Sequence, residues 1–275
     1  MKKILIPTDF SINAQKAADY GMFLAQKFGA QVHLIHAYRF YYDEDGYFIN
    51  VQDKLDDVAE SKLKIEQDRL LTAFPSMKDN VTTEAIHGFL IDVLVERSKT
   101  KEDDLIIMGT KGASGFEEVL IGTLTVSAIN RVDTPLLVVP LDNDSHQINR
   151  IAFAADYHDM NANDILFIKS FGEKFDATID LVKVLAKKDE VDAITDFDKM
   201  GLKYDQLLTG VKHEFHYQSH EDIEEGIMKY LDNHPADLLC VYARKHGFVS
   251  GLFHRSIAKK LAYHTHMPLL VIKER

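Results

Sequence analysis

Leu105-Ile106-Ile107-Met108-Gly109-Thr110-Lys111-Gly112, followed after nine residues by Gly122-Thr123-Leu124-Thr125-Val126-Ser127-Ala128-Ile129, is the stretch that decides the fold. A short apolar run ends on glycines and the chain resumes with apolar residues at helical spacing, so a strand hands over to a helix. Glycine lets a backbone approach an anion closely, and the unpaired N–H groups and positive dipole end of the next helix attract negative charge. Taken alone, glycines after a strand also serve simply as turn caps. The rest of the chain has to decide between the two.

Working outward, short apolar strands alternate with amphipathic helices. Ile4 to Ile6, Val32 to Ile35, a weaker Thr82 to Ile86, Leu105 to Met108 and Leu136 to Val139 read as five strands, buried on both faces as parallel strands are. Between the first two, Ala14, Ala17, Ala18, Gly21, Leu24, Ala25 and Phe28 recur at three-to-four spacing, with Ser11 as N-cap. Leu55, Ala59, Leu63, Leu70 and Phe74 mark a second helix, and Ile91, Leu94 and Val95 a third. This alternation predicts a doubly wound α/β unit.

The unit is written twice. Lys3-Ile4-Leu5-Ile6-Pro7-Thr8-Asp9 is answered by Arg150-Ile151-Ala152-Phe153-Ala154-Ala155-Asp156, and Leu34-Ile35-His36-Ala37 by Leu181-Val182-Lys183-Val184. Further on, Asp104 to Met108 is answered by Asp237 to Val241, and Thr134 to Val139 by Met267 to Ile272. The polar stretch Pro140 to Asn149 reads as the joint, giving domains 1–140 and 150–275.

Composition narrows the function classes. A net charge of −11, with neither half of the chain basic, argues against nucleic-acid binding. No apolar stretch approaches the ~20 residues of a membrane span, and the first apolar run, broken by Pro7 and Asp9, is too short for a signal peptide. The single cysteine, Cys240, lies inside an apolar strand, where a buried, inert thiol in a reducing compartment is expected. The cytoplasm is the expected location.

Pro7-Thr8-Asp9-Phe10-Ser11 after the first strand, Leu34-Ile35-His36-Ala37 at the second, and Gly109-x2-Gly112-x9-Gly122-Thr123 together resemble the universal stress protein family. The likeness covers the first unit and, more weakly, the second. It implies tandem five-stranded parallel sheets of the adenine nucleotide alpha hydrolase-like type, strand order 3-2-1-4-5, and ATP binding by members that carry this glycine pattern. In an open parallel sheet, ligands sit beyond the carboxyl ends of the strands where the order reverses. With the implied order, that place lies between the first and fourth strands, which end at Asp9 and Gly109. Asp9 would accept from ribose hydroxyls or the adenine amino group, and the Ala37 backbone would meet the base. Gly109, Gly112 and Gly122 would wrap the phosphates, with Thr123, Thr125 and Lys111 as donors. Pro7, Thr8, Met108 and Leu124 complete the candidate site. Mg2+ or Mn2+ would arrive with the nucleotide, since no carboxylate cage is visible. The simpler roles are Asp9 as a helix-capping carboxylate, Lys111 as a solvated charge and Ser11 as a cap.

The second unit departs from this pattern. Tyr242, Lys245, Arg255 and Ser256 stand where the three glycines and the hydroxyl stood, so ATP binding of the same kind is not expected there. Arg244, Lys245, His246, His254 and Arg255 read as a solvated or interface-facing basic loop ahead of an anion site. This half holds most of the 13 histidines, yet the spacing of His213, His216 and His220, and of His264 and His266, does not imply tetrahedral convergence on a metal.

The resulting expectation is a nucleotide-responsive stress or regulatory protein and at most a slow ATPase, because no general base, arginine finger or paired metal-binding acid is evident at the loop. Three alternatives stay open: an amide-forming adenylate enzyme, against which stands the lack of a Ser-Gly-Gly-x-Asp-Ser loop; an interaction module without nucleotide; and a second-half binder of another ligand. The fifth strand of each unit lies at a sheet edge that needs covering. Pairing of the two edges in an internal pseudo-dimer, with possible further homodimerisation, is the expected assembly.

Overall fold

The computed structural model describes residues 1–39, 52–110, 122–155, 157, 160–185, 201–243, 258, 260–262 and 266–274. It divides into two compact units, Met1–Leu141 and Asp142–Arg275. In the first, the order is β1 (Lys3–Pro7), α1 (Ile12–Phe28), β2 (Gln31–Tyr38), α2 (Gln52–Ala73), β3 (Val81–His87), α3 (Leu90–Thr100), β4 (Leu105–Gly109), α4 (Thr123–Arg131) and β5 (Leu136–Val139). All strand pairs are parallel and the sheet order is β3-β2-β1-β4-β5. Each parallel neighbour needs a crossover helix, and helices on the sheet faces are why β1, β4 and β5 are apolar almost throughout.

Local sequence explains the boundaries. Ser11 caps α1 by accepting from the Ala14 amide, and Gly29 ends that helix in the left-handed conformation at φ 68°. Gly21 faces the sheet so closely that a Cβ would lie 2.4 Å from Ile6 Cδ1, which presses α1 onto β1. The strand β3 is only half-buried, which is why its apolar signal is weak.

The second unit repeats the plan with β6 (Arg150–Ala154), α5 (Ala162–Phe175), β7 (Thr178–Leu185), α6 (helical over 201–207), β8 (His213–Ser219), α7 (Ile223–Asn233), β9 (Leu238–Ala243) and β10 (Leu269–Lys273). Its parallel order is β8-β7-β6-β9-β10, the same 3-2-1-4-5 pattern. No described helix is long and apolar enough to cross a membrane.

Candidate functional site

Sheet order 3-2-1-4-5 reverses between β1 and β4, so the crevice predicted for an open α/β sheet lies beyond Pro7 and Gly109. After β1 the chain makes a tight turn. Phe10 adopts φ 63°, unusual for a residue with a side chain, and its amide donates to Thr8 Oγ1 at 3.0 Å. The Ser11 amide and hydroxyl both donate to Asp9 Oδ1, at 3.1 and 2.6 Å. Asp9 is thereby held beside the end of β1.

The end of β4 is built by three contacts. The Thr110 amide donates to Val139 O at 3.2 Å, the Gly122 amide donates to Thr110 O at 2.6 Å, and Thr125 Oγ1 donates to Gly109 O at 2.9 Å. These bonds draw Gly109 and Gly122 together across the segment that separates them. Lys111 and Gly112, both named from the sequence, lie outside the described residues. Thr125 is buried and its single hydroxyl proton is given to the strand end, where the sequence reading assigned it to phosphate.

The two described glycines differ in physical meaning. A Cβ on Gly109 would lie 2.7 Å from the Asn13 carbonyl oxygen, so its bareness lets the first turn of α1 approach β4. Gly122 is the N-cap of α4 at φ −76°, ψ 153°, a conformation open to any residue, and it offers no side-chain acceptor to the helix amides. The first turn of α4, Thr123 and Leu124 included, thus begins without a side-chain cap, the arrangement in which backbone N–H groups and the helix dipole favour an anion.

Beside Asp9, the ends of β1 and β2 carry an aromatic wall that the sequence reading missed. His36 Nδ1 lies 2.7 Å from Thr8 O; a carbonyl only accepts, so Nδ1 donates and the neutral ring keeps Nε2 as an acceptor. The His36 ring packs 4.5 Å from Phe10 and stacks 6.3 Å from Tyr38, which meets His87 edge-on at 6.0 Å. The Tyr38 hydroxyl donates to Asp56, and that bond pushes the phenol up to about 12. Arg39 lies 4.2 Å over the ring of Phe89, a side chain that is 59% exposed. The available signal was the two-residue period: His36 and Tyr38 share one face of β2, with Ala37 between them.

The second unit fills the corresponding edge differently. Tyr157, matching Phe10, repeats the left-handed turn at φ 62°, but its ring is buried against Phe153 and Tyr204 and its hydroxyl donates to Phe153 O. Tyr204 donates to Tyr157 O at 2.5 Å, and Lys183, buried, stands where His36 stands. Burial pushes both the Tyr157 phenol and the Cys240 thiol well up. Asp156, Arg244, Lys245, His246, His254, Arg255, Ser256 and His264 lie outside the described residues.

A profile of the universal stress protein family matches residues 1–140 and again 148–273. The chain belongs to the universal stress protein family. Among relatives, it is similar to Universal stress protein MJ0531 of Methanocaldococcus jannaschii, 31% identical over 149 residues that cover 50% of this chain and 81% of that protein. Universal stress protein Slr1230 of Synechocystis is 23% identical, with 99% of this chain and all of that protein aligned, so the tandem arrangement recurs there. In structure, the chain is similar to a universal stress protein from Archaeoglobus fulgidus, with TM-score 0.69 at 17% identity over 98% of both chains. A second crystal structure of the family, from Pseudomonas aeruginosa, gives TM-score 0.66 at 12% identity over 99% of this chain and 93% of that one. At such identities the structural matches speak to the universal stress protein fold alone.

Proposed function

We propose that the first unit binds ATP, with Mg2+ or Mn2+ on its phosphates, and that occupancy governs contacts with a regulatory partner. The observation that carries this reading is the bare start of α4: Gly122, in a conformation that does not require glycine, opens a helix N-terminus tied by hydrogen bonding to the end of β4. Asp9 stands at the end of the neighbouring strand, anchored by Ser11, in the position from which a carboxylate would accept from ribose or from the adenine amino group. The phosphate cradle would consist of Gly122, Thr123 and Leu124 amides together with Lys111 and Gly112, Gly109 and Thr125 shaping it from behind. Pro7, Thr8, Ala37 and Met108 would line the base and sugar side.

The second unit, with Tyr157 and Tyr204 packed at the matching turn, is read as the partner-facing or regulatory copy. Any hydrolysis is slow, a cytoplasmic location accompanies the reading, and assembly through paired units is checked by light scattering. The test of the site is chemical: denature freshly purified protein and identify released nucleotide by mass spectrometry, beside Gly122→Arg, which copies Arg255 of the second unit. ATP or ADP from the wild type and none from a folded variant is the expected result. Equal recovery from both removes Gly122, and with it the proposed cradle.

A further inference from the structure

The opposite edge of the sheets carries a polar group that the two units build with exchanged residues. In the first, His33 of β2 meets Glu84 of β3, Nε2 to Oε2 at 3.2 Å, while Arg97 of α3 donates to His33 Nδ1 at 3.2 Å. Each acceptor there faces a donor. In the second, Asp180 takes the place of His33, His216 that of Glu84, Tyr230 that of Arg97, and Glu214 replaces Thr82.

The exchange turns two carboxylates toward one imidazole. His216 Nε2 lies 3.2 Å from Glu214 Oε2 and 3.7 Å from Asp180 Oδ1, and the three ligand atoms fall within 4.8 Å of one another. Yet Nε2, a buried atom, makes no hydrogen bond among the described residues, its two carboxylate contacts being of ion-pair kind only. A proton on that nitrogen is aligned with neither carboxylate, and a bare lone pair would face two anions. A cation between the three atoms resolves both problems. Ligands about 2.0–2.1 Å from a tetrahedral ion sit roughly 3.3 Å apart and off one another's axes, close to the two separations from His216 Nε2.

The surroundings fit that role. Arg150 Nη1 contacts both Asp180 oxygens at 2.8 Å and Tyr230 donates to Asp180 Oδ2 at 2.9 Å, fixing this fully buried carboxylate as second-layer partners fix metal ligands. Arg150 is also 3.8 Å from Glu214, so one guanidinium lies beside both carboxylates. The His234 ring stacks 4.5 Å from Tyr230 and lies 5.2 Å from His216, closing one side. His213 and His220 turn elsewhere, to Asp205 and Glu225.

We propose that Asp180, Glu214 and His216 form a divalent transition-metal site of the zinc class, water completing the shell. The ligand chemistry is that of Zn2+, for which imidazole and carboxylate are both ordinary donors. The site stands apart from the nucleotide reading and does not depend on it.

The experiment is titration of chelator-stripped full-length protein with Zn2+ by calorimetry, repeated with Co2+ to record the visible absorption of a four-coordinate ion. One ion per chain is expected, with affinity falling more than about 100-fold in His216→Ala and Glu214→Gln, since loss of a ligand exceeds loss of an outer partner. His213→Ala should retain the ion. Should His216→Ala fail to fold, Glu214→Gln, at a half-exposed side chain, carries the comparison. No Zn2+ binding by the wild type, or binding unchanged in Glu214→Gln, overturns the site.

Discussion

Replacing Gly109 by alanine tests how tightly α1 packs on the end of β4. The new Cβ would sit 2.7 Å from the Asn13 carbonyl oxygen and 3.0 Å from its carbon, both backbone atoms of the first turn of α1. Relief to ordinary contact needs a shift of roughly 0.7 Å by a helix whose inner face is buried, and overpacking of this kind costs about 1–3 kcal/mol. For a unit of this size that predicts a fall in Tm of about 3–10 °C. Asn13 follows Ser11 and Asp9 in the chain, so under the proposed ATP reading nucleotide retention should fall in the same variant. Thermal denaturation by circular dichroism is the assay. Gly201→Ala is the control, because among the described residues nothing lies within 4 Å of a Cβ at that helical position and alanine should be neutral or slightly stabilising. A Gly109→Ala protein melting within about 1 °C of wild type would refute the packing argument.

Other outcomes are as definite. Burial, then the Arg97 guanidinium, hold His33 below its ordinary 6.5, so the unfolded chain takes up a proton that the native state resists. The corresponding stability is present above pH 6.5 and is lost as pH falls through and below that value; urea midpoints at neutral and mildly acid pH should show it, and His33→Gln should flatten the difference. Thr125→Val deprives the buried Gly109 carbonyl of its side-chain donor and should destabilise the first unit by about 1–2 kcal/mol, read from chemical denaturation. Cys240, fully buried with its thiol pushed up by burial, should resist a thiol reagent in the native protein and react fully in denaturant. Rapid native labelling would contradict that burial.

Much of the architecture was legible because strands and helices are local patterns. The run Leu105 to Met108, the alanine face of α1 and the duplicated Asp104 and Asp237 each signal their element within a few residues. Ser11 as a cap was legible for the same reason, and the structure confirms its bond to the Ala14 amide. The roles of particular side chains were harder. Gly109 reads as part of a phosphate loop, yet its neighbour Asn13 lies far back in the chain and only the β1–β4 crossover brings it close. Thr125 looks like a free donor until β4 ends beside it. Phe10, His36 and Tyr38 appear as separate aromatics, and only the left-handed turn at Phe10 stacks them into a wall.

What the sequence determined by itself is the repetition and the alternation of strand and helix, since these show in local periods of 2 and 3.6 residues and in stretches written twice. What the tertiary structure decided is which residues meet. Parallel register sets Asp180 opposite Glu214, one step along from His216, and α7 returns Tyr230 to the same spot. No local pattern encodes that encounter, because it depends on how separate strands align and how tightly helices press on the sheet between them.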